Sequence, residues 1–343
     1  MKKLFIFLIC FLSGFCGRLM AWNKDAHMLT GAIAYITLKK DNPAALKNAI
    51  RILKAQPAFQ KPVLDYYYFA KPKNGKPKIK PGKTWAEYLD AIPNADDRDM
   101  ALFMLAARWA DDVRSYPYGD SLLFYYPKEE HRDEWHYINY PYVYPTHTDS
   151  VTPQKEKANN ILEGLKQTEA MAKTGPDSSR DIALCWVMHL FGDIHQPMHS
   201  VALFAPRKKL DDGDRGGNDL HVVQTKNGQT RKFSLHAYWD DNYIDTKSFT
   251  VVRDSAQAMM ARATFQKDRF PQLKTNTQPA DWAKKETLVQ AIQYGYANGT
   301  LGLETESEQA VLLTDEYQQN ATRVQGEQIM LAGLRMAEWL GGL

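Results

Sequence analysis

Cysteine is scarce in this sequence, which limits how the fold can be held together. The 343 residues include three cysteines, and Cys10 and Cys16 lie within the first 21 residues. If that leading segment is removed, Cys185 has no partner and no intramolecular disulfide can form. The fold must therefore depend on a large hydrophobic core, on metal ions or on both.

The sequence also has no excess of charge of one sign once the leading segment is set aside. It contains 43 Lys and Arg against 40 Asp and Glu, and Lys2, Lys3 and Arg18 lie in the first 21 residues, which contain no acidic residue. The rest of the chain is formally neutral. This balance excludes a protein that holds nucleic acid or anionic membrane through a general basic field. Any polyanion must be bound locally.

The apolar run near the start of the chain is too short to cross a membrane. It extends from Leu4 to Phe15, whereas a spanning helix needs about 20 residues. Two lysines precede the run and a small residue allows cleavage after Ala21, which predicts a secretory signal peptide over residues 1–21. Cleavage would leave Trp22 at the N-terminus of a secreted or periplasmic protein. Cys16 leaves a lipoprotein as the alternative.

Hydrophobic periodicity predicts an all-α protein with a single domain over residues 22–343. An Asn-Gly turn between residues 221–225 and 230–233 predicts one small β-hairpin on this helical body. The lysine-rich stretch 71–83 predicts an exposed loop, with contact to a polyanion as the alternative. The predicted helices are Ala26–Leu38, Ala44–Leu53, Met100–Arg108, Lys155–Ala172, Ile182–Phe191, Ala256–Phe265 and Gln309–Leu340.

Histidine is rare, with nine residues, yet it recurs beside aspartate at helical spacing. His189 and Asp193 are four residues apart, as are His236 and Asp240, so each pair projects from one face of a helix. Imidazole nitrogen and carboxylate oxygen are zinc ligands. A satisfied buried pair is the alternative for either alone, but two pairs in apolar surroundings favour a metal centre.

Four other residues are candidate ligands of the same kind. His199 follows the first helical pair, His136 lies in a Trp-His-Tyr sequence, and Asp111 ends a predicted helix. His27 is close to Trp22, whose amino group and carbonyl could chelate a metal after cleavage. The aromatic run Tyr137, Tyr140, Tyr142 and Tyr144 favours packing of an extended segment, with a single-strand groove as the alternative.

The order of these residues resembles the S1/P1 nuclease family. The resemblance extends from Trp22 to the segment 332–337, and thus over essentially the whole chain after the leader. It implies a helical fold similar to that of zinc phospholipases C, and a zinc-dependent enzyme that prefers single strands. The matching blocks are Trp22 with His27, Trp109 to Arg114, His136 to Ile138, His189 to His199, Gly216 to Asn218 and His236 to Asp240.

The resemblance implies three zinc ions that share ligands. One ion would be bound by Asp111, His136, His189 and Asp193; a second by His199, His236 and Asp240; the third by Trp22, His27 and Asp193. A carboxylate shared between two cations places them close together, where they lower the pKa of a common water. A side-chain base is then unnecessary. His131, His147, His195 and His221 have no ligand role in this scheme.

The resemblance also implies residues that act on the substrate. Asp111 and Asp193 are catalytic through the metals, and Arg114 lies near the scissile phosphate, where its guanidinium stabilises developing charge. Tyr137 stacks on a base, and Asn218 lies beside the phosphate, although the backbone geometry of a turn after two glycines explains an asparagine there equally well. Asn139 replaces an aspartate that contacts the base in fungal relatives, and Arg215 replaces an apolar residue. Base preference therefore does not follow from the family.

We expect a zinc-dependent endonuclease and 3′-nucleotidase that degrades single-stranded DNA and RNA to 5′-phosphorylated products. The expected partners are single strands and 3′-nucleotides, with no stable membrane association and a monomeric state. A phospholipase C that uses the same zinc cluster on lipid phosphodiesters is the alternative. A zinc-binding protein without activity is a third hypothesis, which a shared carboxylate and open coordination positions disfavour.

Overall fold

Helices form most of the structure, which confirms the predicted all-α class. The computed structural model describes residues 22–60, 83–114, 132–144, 153–205, 210–226, 228–246, 248–301 and 310–343. The helices are α1 (Lys24–Asp41), α2 (Pro43–Leu53), α3 (Trp85–Asp90), α4 (Ala95–Arg114), α5 (Ile161–Thr174), α6 (Asp177–Asp193), α7 (Leu235–Asp241), α8 (Phe249–Ala261), α9 (Gln272–Thr275), α10 (Pro279–Asp281), α11 (Leu288–Gln290) and α12 (Asp315–Leu340). Two π-helical turns, Trp282–Thr287 and Ala291–Gly295, continue α10 and α11.

The observed helix boundaries differ from the predicted ones where a capping residue intervenes. α5 begins at Ile161 rather than at Lys155, because the side chain of Asn160 accepts a hydrogen bond from the backbone N–H of Leu162 and caps the helix there. α12 begins after Thr314, whose hydroxyl accepts from the N–H of Tyr317. Near the site, α4 continues three residues beyond Asp111, so this carboxylate lies within the last helical turn.

The larger core, which we call the first core, is formed by the long helices. α1 packs against α4 and α12, and α6 packs against α4 and α5. Its bulkiest side chains are buried aromatics, among them Trp22, Trp109 and Trp135. Cys185 lies in α6 as a buried free thiol, and burial raises its pKa well above the ordinary value. Apolar packing therefore supports the helices that carry the first candidate ligands.

The strands accompany a smaller core, which we call the second core. β3 (His221–Lys226) and β4 (Gln229–Ser234) form the predicted antiparallel hairpin, although Asn227 of its turn lies outside the described residues. β5 (Val311–Leu312) adds to β3 in parallel, and β1 (Tyr140–Val143) pairs in parallel with β2 (Val201–Phe204). Neither parallel pairing was expected, because short parallel strands distant in sequence leave no local pattern.

The second core also decides the interpretation of the tyrosine run. Tyr144 is buried, and the ring of Tyr142 packs against Tyr296 with centroids 5.8 Å apart. Packing of the extended segment is thus confirmed for these two residues.

None of the described helices is both long and apolar enough to cross a membrane. The predicted signal peptide, residues 71–82 of the lysine-rich stretch, His131 and His147 lie outside the described residues.

Candidate metal centre

Eight candidate ligands converge from separate elements of the fold. All eight side chains are buried. They form three sets in which the ligand atoms lie within 4.8 Å of one another. We refer to His27, Asp111, His136, His189 and Asp193 as the first group and to His199, His236 and Asp240 as the second group.

Asp193, at the end of α6, lies at the centre of the first group. Its Oδ1 is 3.3 Å from Nε2 of His27, and its Oδ2 is 2.9 Å from Nδ1 of His136 and 3.0 Å from Nε2 of His189. Asp111 completes the group, with its Oδ1 3.9 Å from Nε2 of His189. The i, i+4 spacing predicted for His189 and Asp193 therefore places both on one helix face, as expected.

The second group is smaller and lies on short elements. His199 belongs to the 3₁₀ helix Pro197–Ser200, while His236 and Asp240 share one face of α7. The two imidazole rings are stacked with centroids 4.9 Å apart, and Asp240 Oδ2 is 3.6 Å from His236 Nε2. His199 Nδ1 is also 3.7 Å from Asp193 Oδ1. Asp193 thus connects the two groups.

Backbone carbonyls orient three of the histidines. Nδ1 of His189 donates to the carbonyl of Ala107 at 2.9 Å, Nδ1 of His199 to that of His136 at 2.6 Å, and Nδ1 of His236 to that of Gly216 at 2.7 Å. Since a carbonyl only accepts, the proton of each neutral ring is on Nδ1. The lone pair is then on Nε2, which faces the cluster. This arrangement is typical of metal-binding histidines.

Several buried polar atoms of the cluster have no hydrogen-bond partner among the described residues. They are both ring nitrogens of His27, Oδ2 of Asp111, Oδ1 of Asp193 and Nε2 of His199. Oδ1 of Asp193 and Nε2 of His27 lie 3.3 Å apart and offset each other in part. An unsatisfied buried polar atom costs about 1–3 kcal/mol, so the remaining atoms require compensation. Cations bound between them would supply it, and the nitrogen and carboxylate donors suit zinc. Gly192 makes room for His27, because a Cβ there would lie 2.5 Å from its Nδ1.

Attraction between opposite charges determines the direction of the pKa shifts of His189 and Asp193 in the first group. Burial lowers the pKa of His189, but the charges of Asp193 and Asp111 and hydrogen bonds to Asp193 and Ala107 outweigh it and raise the pKa to about 9. Burial likewise opposes ionisation of Asp193, yet His189 and the hydrogen bonds of the surrounding histidines hold its pKa well below the usual range. In the absence of a metal, a proton therefore occupies this group at neutral pH.

Desolvation dominates the second group. Burial lowers the pKa of His199 to about 3, against the attraction of Asp193. Burial also raises the pKa of Asp240 well above the ordinary value, although Gln196 donates a hydrogen bond to its Oδ1 at 2.8 Å. Without a cation this group favours uncharged forms. Binding a metal here would displace a proton from the carboxyl group.

The N-terminal side of α1 is fixed to both neighbouring helices. Trp22 is buried, and the N–H of Asn23 donates to the carbonyl of Asp240 at 3.4 Å. Lys24 contacts Asp112 with 2.6 Å between Nζ and Oδ1, and Arg108 makes a bidentate contact with the same carboxylate. Asp112 was not predicted from the sequence to have a role, although Arg108 lies four residues before it on α4, at the spacing of a helical ion pair.

The candidate substrate residues are half-buried, and one of them adjoins a candidate ligand in the sequence. Tyr137 and Asn139 are half-buried; Tyr137 directly follows His136, and the N–H of the next residue, Ile138, donates to the carbonyl of His199. Asn218 is also half-buried, and its Nδ2 donates to the carbonyl of Arg215 at 2.7 Å. The side chain of Arg114 lies outside the described residues, although α4 ends at this position.

The structure describes two of the four histidines that were expected to have no ligand role. His195 is buried, its Nδ1 donates to the carbonyl of Phe191 at 2.7 Å, and its Nε2 accepts from Arg335 at 2.8 Å. With both nitrogens engaged, this ring supports the end of α6 and has no free lone pair for a metal. His221 lies in β3 of the hairpin.

Comparison with known proteins agrees with this arrangement. The S1/P1 Nuclease family model matches residues 22–343. Endonuclease 2 of Arabidopsis thaliana is 28% identical over 181 residues, which cover 50% of this chain and 52% of the relative. Endonuclease 4 of the same plant is 24% identical over 273 residues, which cover 75% of this chain and 81% of the relative. The match thus spans about half the length of Endonuclease 2 and more of Endonuclease 4. Because the family model covers residues 22–343, the chain belongs to the S1/P1 nuclease family.

Proposed function

We propose that this protein is a zinc-dependent nuclease that hydrolyses phosphodiester bonds of single-stranded DNA and RNA and also removes phosphate from 3′-nucleotides. The main support is the buried cluster of five histidines and three aspartates, in which five polar atoms have no hydrogen-bond partner among the described residues. Membership of the S1/P1 nuclease family and the similarity to plant endonucleases support the same activity. The products carry a 5′-phosphate, and the active form is a monomer.

The proposed ligands divide among three zinc ions. Asp193 serves two of them, which is consistent with its position between His27 and the pair His136 and His189. Zinc ions held by these residues would lower the pKa of bound water and neutralise negative charge on a phosphoryl group. The proposed sets are Asp111, His136, His189 and Asp193 for the first ion; His199, His236 and Asp240 for the second; and Trp22, His27 and Asp193 for the third.

The protein residues supply orientation and charge. Backbone carbonyls hold the rings of His189, His199 and His236 with Nε2 toward the cluster, so little reorganisation is needed on metal binding. Asp111 and Asp193 act in catalysis by holding the ions. Arg114, whose side chain lies outside the described residues, donates to the phosphate as negative charge develops.

The protein binds one nucleotide of the substrate directly. Tyr137 stacks on the base, while Asn139 and Asn218 make polar contacts to the base and the phosphate. Stacking on an aromatic ring contributes about 1–3 kcal/mol with any base. A paired base cannot reach the ring without unstacking from the duplex, which accounts for a preference for single strands.

Removal of residues 1–21 is part of the proposed maturation. The amino group of Trp22 can bind a metal only when it is free, and the protein is then secreted or periplasmic. N-terminal sequencing of the exported protein tests the cleavage site. A variant with one additional glycine before Trp22 should lose the third zinc ion, whereas full zinc content and turnover in that variant would contradict this ligand.

The activity is tested with one oligonucleotide sequence in single-stranded and duplex DNA, its RNA equivalent, and a 3′-nucleotide. We expect cleavage of single strands with zinc, none after chelation, and recovery when zinc is restored. His236→Ala should be inactive, while His221→Ala, which removes a histidine from the exposed hairpin, serves as the control. Hydrolysis of phosphatidylcholine vesicles without cleavage of single strands would favour a phospholipase C. Zinc binding without either activity would favour a binding protein.

A further inference from the structure

Asp214 is a fully buried carboxylate to which the sequence analysis assigned no role. Its Oδ1 accepts from the N–H of Leu203 at 2.9 Å, and its Oδ2 accepts from the hydroxyl of Tyr296 at 2.7 Å. The backbone N–H of Gly217 also favours the ionised form of this carboxylate. Asp214 also bonds through its backbone, because its N–H donates to the carbonyl of Leu203 at 2.9 Å and its carbonyl accepts from the N–H of Asp219 at 3.1 Å.

These bonds fix a turn of unusual backbone conformation, residues 213–217. Gly213, Arg215, Gly216 and Gly217 have φ angles of 85°, 54°, 66° and 84°. Arg215 pays a steric cost at positive φ that glycine does not. A Cβ at Gly216 would lie 2.4 Å from the carbonyl oxygen of Met198, so only glycine allows this close approach. Such a turn persists only where surrounding contacts hold it.

The 213–217 turn also holds His236 of the second group. The carbonyl of Gly216 accepts from His236 Nδ1 at 2.7 Å, and the carbonyl of Gly217 accepts from the backbone N–H of His236 at 3.2 Å. The first bond determines which ring nitrogen faces the cluster, and the second fixes the start of α7. Asn218, a candidate substrate residue, directly follows and bonds back to Arg215. One turn therefore positions a candidate metal ligand and a candidate substrate contact.

A carboxylate is the group that this position requires. Its hydrogen-bond partners are both donors, namely the backbone N–H of Leu203 and the hydroxyl of Tyr296, and a carboxylate accepts one on each oxygen. An asparagine would present an NH₂ group to one of these donors. Burial raises the pKa of Asp214 to about 6 even against these hydrogen bonds, so its ionised form is retained at neutral pH through the donors around it.

We propose that Asp214 and Tyr296 are positioning residues, which hold the 213–217 turn so that His236 presents Nε2 to a zinc ion and Asn218 lies beside the substrate. This proposal rests on the proposed nuclease function. Substitutions that disturb the support of a metal-binding histidine typically reduce metal affinity by about 10–100-fold. Tyr296 is buried in the second core, one residue beyond the π-helical turn Ala291–Gly295, and so connects that core to the site.

The test measures the zinc concentration that gives half-maximal activity, together with KM, kcat and the rise in thermal midpoint on zinc addition. For Asp214→Asn we expect the half-maximal zinc concentration to rise about 10–100-fold, with a raised KM and with kcat largely recovered at saturating zinc. Tyr296→Phe, which removes one hydroxyl, should shift in the same direction by about tenfold. His236→Ala should not recover at any zinc concentration, because the ligand itself is missing.

Tyr35→Phe is the matched control. Tyr35 is also buried, and its hydroxyl donates to Oδ1 of Asp96 at 2.6 Å, but it lies in α1 among residues of the first core. We expect it to lower the thermal midpoint without changing the zinc requirement or KM. An unchanged zinc requirement in Tyr296→Phe would overturn the proposal, and this variant decides the matter if Asp214→Asn does not fold. Failure of the wild-type protein to bind zinc and cleave single strands would instead overturn the proposed function, and this proposal with it.

Discussion

The two ligand groups are held in place by different means. In the first group, His27, Asp111, His189 and Asp193 project from helices of 18, 20 and 17 residues that pack along their length in the first core. In the second group, the ligands lie on a 3₁₀ helix of four residues and on α7, which has seven. Short helices are marginal in isolation. Apolar packing of long helices thus holds four of the five ligands of the first group, while His136, on the 3₁₀ helix Asp133–His136, and all three ligands of the second group lie on short elements.

The electrostatics of His189 in the first group and of His199 in the second differ, whereas burial lowers the pKa of His27 as it does that of His199. The first group concentrates negative charge, which raises the pKa of His189 to about 9. In the second group desolvation prevails and lowers the pKa of His199 to about 3. The pKa values of two histidines thus shift in opposite directions because their surroundings differ. A bound cation would have to displace a proton from His189 in the first group and from Asp240 in the second.

Chelation should produce the largest effect and should separate the two groups. We expect complete loss of activity, and faster hydrogen exchange in α7 and residues 213–220 than in α1, α4 and α6. The physical reason is that a ligand at 100 to 1,000 times its Kd contributes about 3–4 kcal/mol, which the short elements need more. Exchange measured by mass spectrometry with and without zinc tests this. Equal loss of protection in both regions would mean that packing does not distinguish them.

Asp193→Asn should be the most damaging single substitution, because this carboxylate contacts both groups. It lies 3.3 Å from His27, 3.0 Å from His189 and 3.7 Å from His199. We expect activity to fall by more than about 100-fold, beyond the loss typical of residues that only support ligands, and thermal stability to fall with zinc content. His236→Ala provides the comparison. Elemental analysis should find less zinc in Asp193→Asn, and equal zinc in the two variants would show that Asp193 is not shared.

The sequence predicted the local part of this site better than the distant part. His189 with Asp193 and His236 with Asp240 follow from helical spacing alone, since each pair lies within one helix. The proximity of His136 to His199 depends on the carbonyl of His136 and on the parallel pairing of β1 with β2, which no local pattern encodes. Both were candidate ligands from their local sequence, but their assignment to particular ions came only from the family resemblance.

The supporting residues were the least predictable. In the sequence, Asp214 resembles an ordinary acidic residue of a polar turn. Its importance depends on a hydrogen bond from Tyr296, which is distant in sequence. The same holds for Arg335 of α12, which pairs with Glu286 at 2.7 Å and reaches His195. A buried polar partner leaves little trace in hydrophobic periodicity, because a single charged residue in a helix resembles a surface position.

The pH dependence of metal-free stability should show the opposite electrostatics directly. His189 has a raised pKa, so its contribution is fully present below its unfolded value of 6.5 and is lost as pH rises through about 9. His199 has a lowered pKa, so stability is lost as pH falls from 6.5 towards 3. We expect His189→Gln to flatten the alkaline side of the profile and His199→Gln the acid side. Thermal midpoints of chelator-treated protein, measured from about pH 4 to pH 9, decide this, and the same change in both variants would contradict it.

The smallest effects concern the candidate substrate residues. One of them is close in sequence to the first group and one to the second. Tyr137 directly follows His136 of the first group, and Asn218 follows the turn that supports His236 of the second. Tyr137→Ala should cost about 1–3 kcal/mol in kcat/KM for a dinucleotide, because base stacking is lost in the transition state as well as in the ground state. Zinc content should not change. Asn218→Ala should raise KM and slightly weaken zinc binding, because its side chain also bonds to Arg215 in that turn.

Salt distinguishes this local recognition from tracking along the nucleic-acid backbone. The charge balance of the chain after residue 21 is near zero, so few phosphates are neutralised by Lys or Arg, and log affinity should fall only gently with log salt. Cleavage of single-stranded and duplex forms of one oligonucleotide, by wild type and Tyr137→Ala at two salt concentrations, measures both effects together. Unchanged cleavage by the variant, or a steep dependence on salt, would exclude the single-nucleotide site. Contacts along the strand would then carry recognition, and the lysines of residues 71–83 would be the first to substitute.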